Sequence, residues 1–178
     1  MPSETPLLRN EQAGDTEAIA DLVTAAFGQP AEALLIDDLR RAGALRVSVV
    51  ATQDGVIRAH AAASPMAWAS GGQAVVFALA PVAVAPVAQG RGLGRAVVKA
   101  AIIAATNQGA ELLTVLGDPG WYAGFGFVPA DTTGLSIEGY AFGDAFRILE
   151  LKLGVLQHTR GSLRWHAAFD PLLLPPAC

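Results

Sequence analysis

The chain has 178 residues, 52% of them hydrophobic and 16% charged, with a formal net charge of −4. That length suits one domain spanning 1–178, which buries roughly 70% of the surface its unfolded chain exposes, and the negative balance argues against a nucleic-acid partner, which selects a basic face. The one cysteine, Cys178, excludes an internal disulfide and a cysteine-built zinc cluster.

Met1-Pro2-Ser3-Glu4 lacks the basic and apolar parts of a signal peptide, so a cytoplasmic protein is expected. No uninterrupted run of about 18 apolar residues reads as a membrane span. Leu7-Leu8-Arg9 reads as a short first strand. Asp15 is the expected N-cap of a helix in which Ala18, Ile19, Leu22, Val23, Ala26 and Phe27 recur at helical spacing, stopped by Gly28-Gln29-Pro30. A second helix is predicted over 31–41, with Leu34, Leu35 and Leu39 inward and Gly43 as its end. Strands over 45–51 and 56–63 flank Gln53-Asp54-Gly55, a hairpin signal, and Ser64-Pro65 ends the second of them.

Gly71-Gly72 precedes a further apolar strand over 74–84. It contains Pro81, which cannot donate to a sheet ladder, yet the stretch is too apolar for a solvated edge. A locally broken ladder reconciles the two and leaves backbone groups free to pair with an extended ligand. The spacing then predicts a helix over 92–108 with Leu93, Ala96, Val97, Ala100 and Ala104 as its buried stripe and Gly109 as its stop. Arg95 and Lys99 lie four apart on one of its faces. A strand over 110–117 follows, parallel to 74–84 through a βαβ crossover. Two strand-like runs, 146–153 and 162–169, close the chain, with 171–178 as a loose tail. There is no internal repeat and no block of like charge.

Between the apolar strand and the long helix lies Gln89-Gly90-Arg91-Gly92-Leu93-Gly94-Arg95. Alternating glycines let backbone N–H groups converge, and the helix behind adds unpaired N–H groups and the positive end of its dipole, which suits a pyrophosphate. The dinucleotide fingerprint fails because Arg95 stands where its third glycine belongs, and the P-loop fails because Arg95-Ala96 follows Gly94. What remains is Gln89-x-x-Gly92-x-Gly94. About 30 residues on, after Gly117-Asp118-Pro119, comes Tyr122-x-x-x-Gly126-Phe127.

These two signatures, in this order and spacing, resemble the GNAT superfamily of N-acyltransferases and, in the Gly-Asp-Pro form of the second, its YhbS-like branch. The resemblance is tight over 80–130 and looser outside it. It implies an α/β fold with a mixed, mostly antiparallel sheet, flanked by helices, whose central parallel strands splay around acetyl-CoA. It further implies that the backbones of Val82, Ala83 and Val84 hold pantetheine and the thioester. The N–H groups of Gln89, Gly90, Arg91, Gly92, Leu93, Gly94 and Arg95 would hold the pyrophosphate. Tyr122 would be the general acid for the departing thiolate, with no metal involved. The reaction implied is acetyl transfer to an amine acceptor of unknown identity, a small molecule or a protein amine. The alternative is an acyl-CoA-binding or regulatory module without turnover.

No general base stands out. His60 has a suitable pKa but, as a lone strand histidine, is more often packing. Asp118 before a proline is an ordinary turn residue, Glu111 reads as a solvated strand end, and a water relay competes with all of them. His158 and His166 show no metal-ligand spacing with each other or with His60. Trp68, Trp121 and Trp165 read as packing rather than as an acceptor pocket. Oligomeric state, including a homodimer, is left open.

Overall fold

The computed structural model describes residues 5–173. In chain order the elements are β1 (Leu7–Asn10), α1 (Thr16–Phe27), α2 (Ala31–Arg41), β2 (Val47–Gln53), β3 (Val56–Pro65), β4 (Ala67–Gly71), β5 (Val76–Val84) and α3 (Leu93–Asn107). There follow β6 (Leu112–Leu116), α4 (Pro119–Ala123), β7 (Val128–Pro129), β8 (Leu135–Ile137), β9 (Phe146–Glu150), α5 (Val155–His158), β10 (Gly161–Arg164) and α6 (Asp170–Leu173).

The main sheet has seven strands in the order β1-β2-β3-β5-β6-β9-β7. Its one parallel pair is β5 with β6, the pair joined by the α3 crossover. The hairpin between β2 and β3 turns at Asp54-Gly55, where both φ angles are positive (51° and 72°), as a two-residue turn matched to strand twist requires. A second sheet, β4-β10-β8, packs beside it. The sequence pattern does not reveal β4, β7 or β8. They are two to five residues long, too short for an alternation to declare itself.

The sheet's two faces are covered differently. α3 lies on the side of Val47, Val49, Ala59, Ala61 and Ala63. α1 and α2 lie on the other, where Ile19, Val23 and Ile36 meet Val50 and Ala83. The buried stripe of α3 is Leu93, Val97, Val98, Ala101 and Ala105, rotated from the expected one. Ala96, Ala100 and Ala104 are half-buried at its flank; with so many alanines the sequence offers little to fix the rotation. In α2, Leu34 is 55% exposed rather than inward, and Ala33 and Ile36 take up the core face with Leu35 and Leu39. Asp15 precedes α1 without capping it. Its carboxylate accepts instead from the Arg9 guanidinium and from the Gln12 N–H at 2.7 Å, pinning the connection from β1. The expected loose tail is helical through Leu173, with Leu172 and Leu173 packed on the core, and its remainder lies outside the described residues.

What positions the site is the interruption of β5. Its pairing with β6 stops after Val76–Leu112, Phe77–Leu113 and Ala78–Thr114. Beyond that point β6 continues along β9 to Leu116, while β5 continues along β3 until Val84 lies opposite Ala59. Ala61 faces Val82 and Ala63 faces Leu79, so Ala80 and Pro81 together oppose Ala62. This is a bulge at the residue that has no N–H to give. The central strands separate there, as the proline in the apolar run predicts.

Candidate functional site

Gly90 and Gly92 both adopt left-handed backbone, with φ of 74° and 83°. A Cβ at either would meet nothing within 4 Å. The turn therefore needs glycine for its backbone conformation and for a clear face, not for close packing against the protein. Gly92 caps α3 with no side-chain acceptor, and Ala96 is the first N–H to bond back, to the Gly92 carbonyl. The N–H groups of Leu93, Gly94 and Arg95 precede that first helical bond, as at any helix start. The Gln89 amide donates at 3.2 Å to the Val84 carbonyl and ties the turn to the end of β5.

Two cavities meet at this junction. One, of about 420 Å³, is bordered by the turn, through Gly90, Gly92, Leu93 and Arg95. The other, of about 570 Å³, runs along Val82, Ala83 and Val84 to Asp118 and Tyr122. Val84, Gln89, Gly94 and Trp121 line both, so the glycine turn and the phenol border adjoining cavities with a shared wall. Arg91 lies in the turn but lines neither.

Tyr122 belongs to the core and to the cleft at once. It is 8% exposed, with its ring edge-on to Trp121 (centroids 4.7 Å apart) and to Phe127 (5.6 Å). A Cβ on Gly117 would come within 2.6 Å of its Cε2, so glycine at the end of β6 makes the space the ring occupies. Its hydroxyl has no hydrogen-bond partner among the described residues. Burial pushes the phenol up to about 12, so it stays protonated across the physiological range.

Asp118 caps the helix that carries this tyrosine: its Oδ1 accepts from the Trp121 N–H at 2.6 Å and its carbonyl from the Tyr122 N–H at 3.1 Å. It lines the cleft as well. His60 does not. It is fully buried on the α1–α2 side, cross-strand from Ala83, with Nε2 2.8 Å from the Ser48 Oγ and Nδ1 unpartnered. Burial, with the Arg40 charge nearby, lowers its pKa to about 3. Glu111 accepts from Lys152 at 2.6 Å and from the Val75 N–H. The His166 ring accepts from Ala168 N–H, and among the described residues no cluster of His, Cys, Asp or Glu is arranged to hold a metal. Trp68 and Trp165 pack in the core, whereas Trp121 lines the cleft.

Ala26 and Phe27, which read from the sequence only as part of the apolar stripe of α1, also line the cleft beside Tyr122. Phe27 is 42% exposed at the last residue of α1. The available signal was an aromatic residue at the edge of the apolar stripe, directly before a glycine stop. No described helix is long and apolar enough to cross a membrane.

The profile of the acetyltransferase (GNAT) domain matches residues 8–130. Over 165 residues the chain is 32% identical to YhbS of Escherichia coli K12, an uncharacterized N-acetyltransferase, covering 92% of this chain and 98% of that one. The crystal structure of E. coli YhbS in complex with CoA superposes with a TM-score of 0.89 at 31% identity, covering 96% of this chain and 94% of that one. A GNAT-family acetyltransferase from Brucella melitensis in complex with acetyl-CoA gives 0.75 at 29% identity, covering 93% and 99%.

Proposed function

From the chain's membership of the GNAT family of N-acetyltransferases, established by the match over 8–130 and by 32% identity over 92% of its length, we propose that it transfers an acetyl group from acetyl-CoA directly to an amine. The observation that carries this reading is the pair of adjoining cavities, sharing Val84, Gln89, Gly94 and Trp121, that set the glycine turn beside Tyr122 along the unpaired edge of β5. The residues present fit the donor: an open, left-handed glycine turn for the pyrophosphate, a free strand edge for the pantetheine amides and a partnerless phenol beyond them.

Bound acetyl-CoA supplies a thioester whose carbonyl an amine can attack. The chain's own groups do the rest. N–H groups from Gly90 to Arg95 hold the pyrophosphate, and the backbone of Val82 and Val84 pairs with the pantetheine arm. Fixing the donor in this way leaves only the acceptor to be oriented, which supplies much of the rate. Tyr122 donates a hydrogen bond to the sulfur as the C–S bond breaks, and any proton it passes to the thiolate is restored to the phenol through water by the one the amine loses. With its pKa near 12, against about 8.5 for a free thiol, the phenol does not ionise ahead of the reaction. Its hydrogen bond strengthens only as charge collects on the sulfur, so the interaction favours the transition state over the ground state. Asp118 is a positioning residue for Tyr122, since it caps that helix. With His60 sealed beneath α1 and α2, the proton lost by the amine leaves through water.

The test is thiol release from acetyl-CoA in the presence of polyamines, amino acids and peptides with free amines. Acceptor-dependent release by the wild type, with release falling in Tyr122→Phe, supports the enzyme. Tight CoA binding with no acceptor-dependent release from any amine class would favour a binding module instead.

A further inference from the structure

Half of the chain's twelve arginines and lysines are tied to carboxylates: Arg9 to Asp15, Arg40 to Glu11, Arg41 to Asp38, Arg147 to Asp144, Lys152 to Glu111 and Arg164 to Glu138. Among the described residues, Arg91, Arg95 and Lys99 have no carboxylate partner. All three are exposed; Arg91 lies in the glycine turn, and Arg95 and Lys99 stand four apart on one face of α3. This arrangement breaks two local rules. Like charges four apart on a helix repel one another. Cations in the first turns of a helix also oppose its dipole, and α3 has no acidic residue in its first turn to offset them. Nothing in the protein compensates, and uncompensated violations of this kind mark binding sites.

The side chains are surplus to the pyrophosphate, which the backbone of the turn can hold. The Arg95 guanidinium sits over the Phe125 ring, 5.1 Å from its centroid, and is thereby fixed across the top of α4. Lys99 stands one helical turn further on, about 6 Å along the axis. Arg95 and Lys99 also border a larger groove, about 1410 Å³, that starts at Gly92 and follows the flank of α3 past Ala96 and Ala100. A ligand whose pyrophosphate lies in the turn therefore meets a second cationic centre roughly a helical turn away. CoA carries a further anion, the phosphate on its ribose 3′ position, and dephospho-CoA differs from it by that group alone.

We propose that Arg95 and Lys99 form a subsite for the ribose 3′-phosphate, so that the protein selects CoA over dephospho-CoA. The proposal rests on the reading of the cleft as a CoA site. Arg46 serves as the internal control. It is another cation without a carboxylate partner that borders the same groove, but it enters β2 where its N–H bonds to the Ala63 carbonyl. Ala63 lies opposite Leu79, which places Arg46 roughly 15 Å below Val84.

Titration calorimetry with CoA and with dephospho-CoA, on the wild type and on Lys99→Gln and Arg46→Gln, tests it. The wild type is expected to bind CoA about tenfold more tightly than dephospho-CoA. Lys99→Gln should cut that ratio to threefold or less while dephospho-CoA affinity stays within twofold, and Arg46→Gln should keep the wild-type ratio. Equal binding of the two nucleotides by the wild type, or an undiminished ratio in Lys99→Gln, would overturn the subsite and leave the CoA reading standing. Failure of the wild type to bind either nucleotide would remove the CoA reading itself, and the subsite with it.

Discussion

Residues 76–78 and 79–84 belong to one strand of nearly uniform apolar composition, yet they serve opposite ends. The first three are held on both edges, by β6 on one side and on the other by β3 (Phe77, Ala78) and the Met66 N–H just past it (Val76). The next six are held by β3 alone, after Ala80 and Pro81 bulge past Ala62. Hydrophobicity does not distinguish the halves; backbone hydrogen bonding does. Where the ladder closes, the strand contributes stability, and where it opens, polar backbone groups are left for a ligand in otherwise apolar surroundings. The two edges of the upper half differ in the same way. On the sealed edge His60 lies across from Ala83, driven down to about 3. On the open side Tyr122 borders the cleft, driven up to about 12. Burial favours the neutral form of both, and only the one beside the opening can use its proton.

The strongest way to break this comparison is Tyr122→Phe. The ring packing against Trp121 and Phe127 is kept and only the donor is lost. The turnover rate should fall roughly 10²-fold or more with acetyl-CoA affinity little changed. Steady-state kinetics that retain full turnover on a good acceptor would take the general-acid role away from this residue. Next comes Gly92→Val. Nothing lies within 4 Å of a Cβ there, so the fold should persist, but the φ of 83° suits no β-branched residue and the new side chain covers the face of the turn. Calorimetry should show CoA affinity falling at least about tenfold, or 1.4 kcal/mol. An unchanged affinity would place the phosphates elsewhere.

The same contrast explains what was legible in the sequence. The turn and Tyr122 declare themselves because their chemistry is local: alternating glycines before a helix, and a tyrosine at fixed spacing after the next strand. Pro81 announces the opening for the same reason. The fate of His60 is different. Alternation places it on one face of β3 but does not say that α1 and α2 cover that face, so a candidate base and a sealed core residue look alike. Gly117 reads as an ordinary turn glycine until the Tyr122 ring is seen lying against it. The short strands β4, β7 and β8 exist through partners distant in the chain, which a local pattern does not encode.

The closed half of β5 should respond in the opposite sense to the open half. Ala78 is 2% exposed, paired on both edges and enclosed by the core that Leu112 and Ile148 share. Ala78→Leu overpacks that core and should cost about 1–3 kcal/mol. Each kcal/mol lowers the melting temperature by about 2–4 °C in a domain of this size. CoA affinity, measured well below melting, should stay within about twofold, since an affinity loss of 1.4 kcal/mol would already be tenfold. A tenfold loss of affinity would show that the two halves of the strand are coupled after all.

The smallest effect tests the sealed edge and is read from pH. In the folded chain His60 is neutral until about pH 3, whereas an unfolded histidine protonates near 6.5. Between those values the unfolded state binds the extra proton, so stability rises with pH across the window, is complete above about 6.5, and is lost as pH falls through it. One proton sets the limit on the slope, about 1.4 kcal/mol per pH unit. Arg40 contributes to the lowered pKa, and the Ser48 hydroxyl that meets Nε2 is in turn bonded to Glu11, so no acid faces the ring directly to offset the burial. Asp15 and Glu111, whose ion pairs hold their carboxyls below the usual range, lose their contribution only further down the acid side. Thermal unfolding from pH 7 to pH 4.5 should therefore show the wild type losing its advantage over His60→Gln progressively. Proton NMR should find the His60 ring signals unshifted across that range. If His60 titrates near 6.5 in the folded protein, the α1–α2 side is wet, and the contrast between the edges of β5 fails on its sealed side.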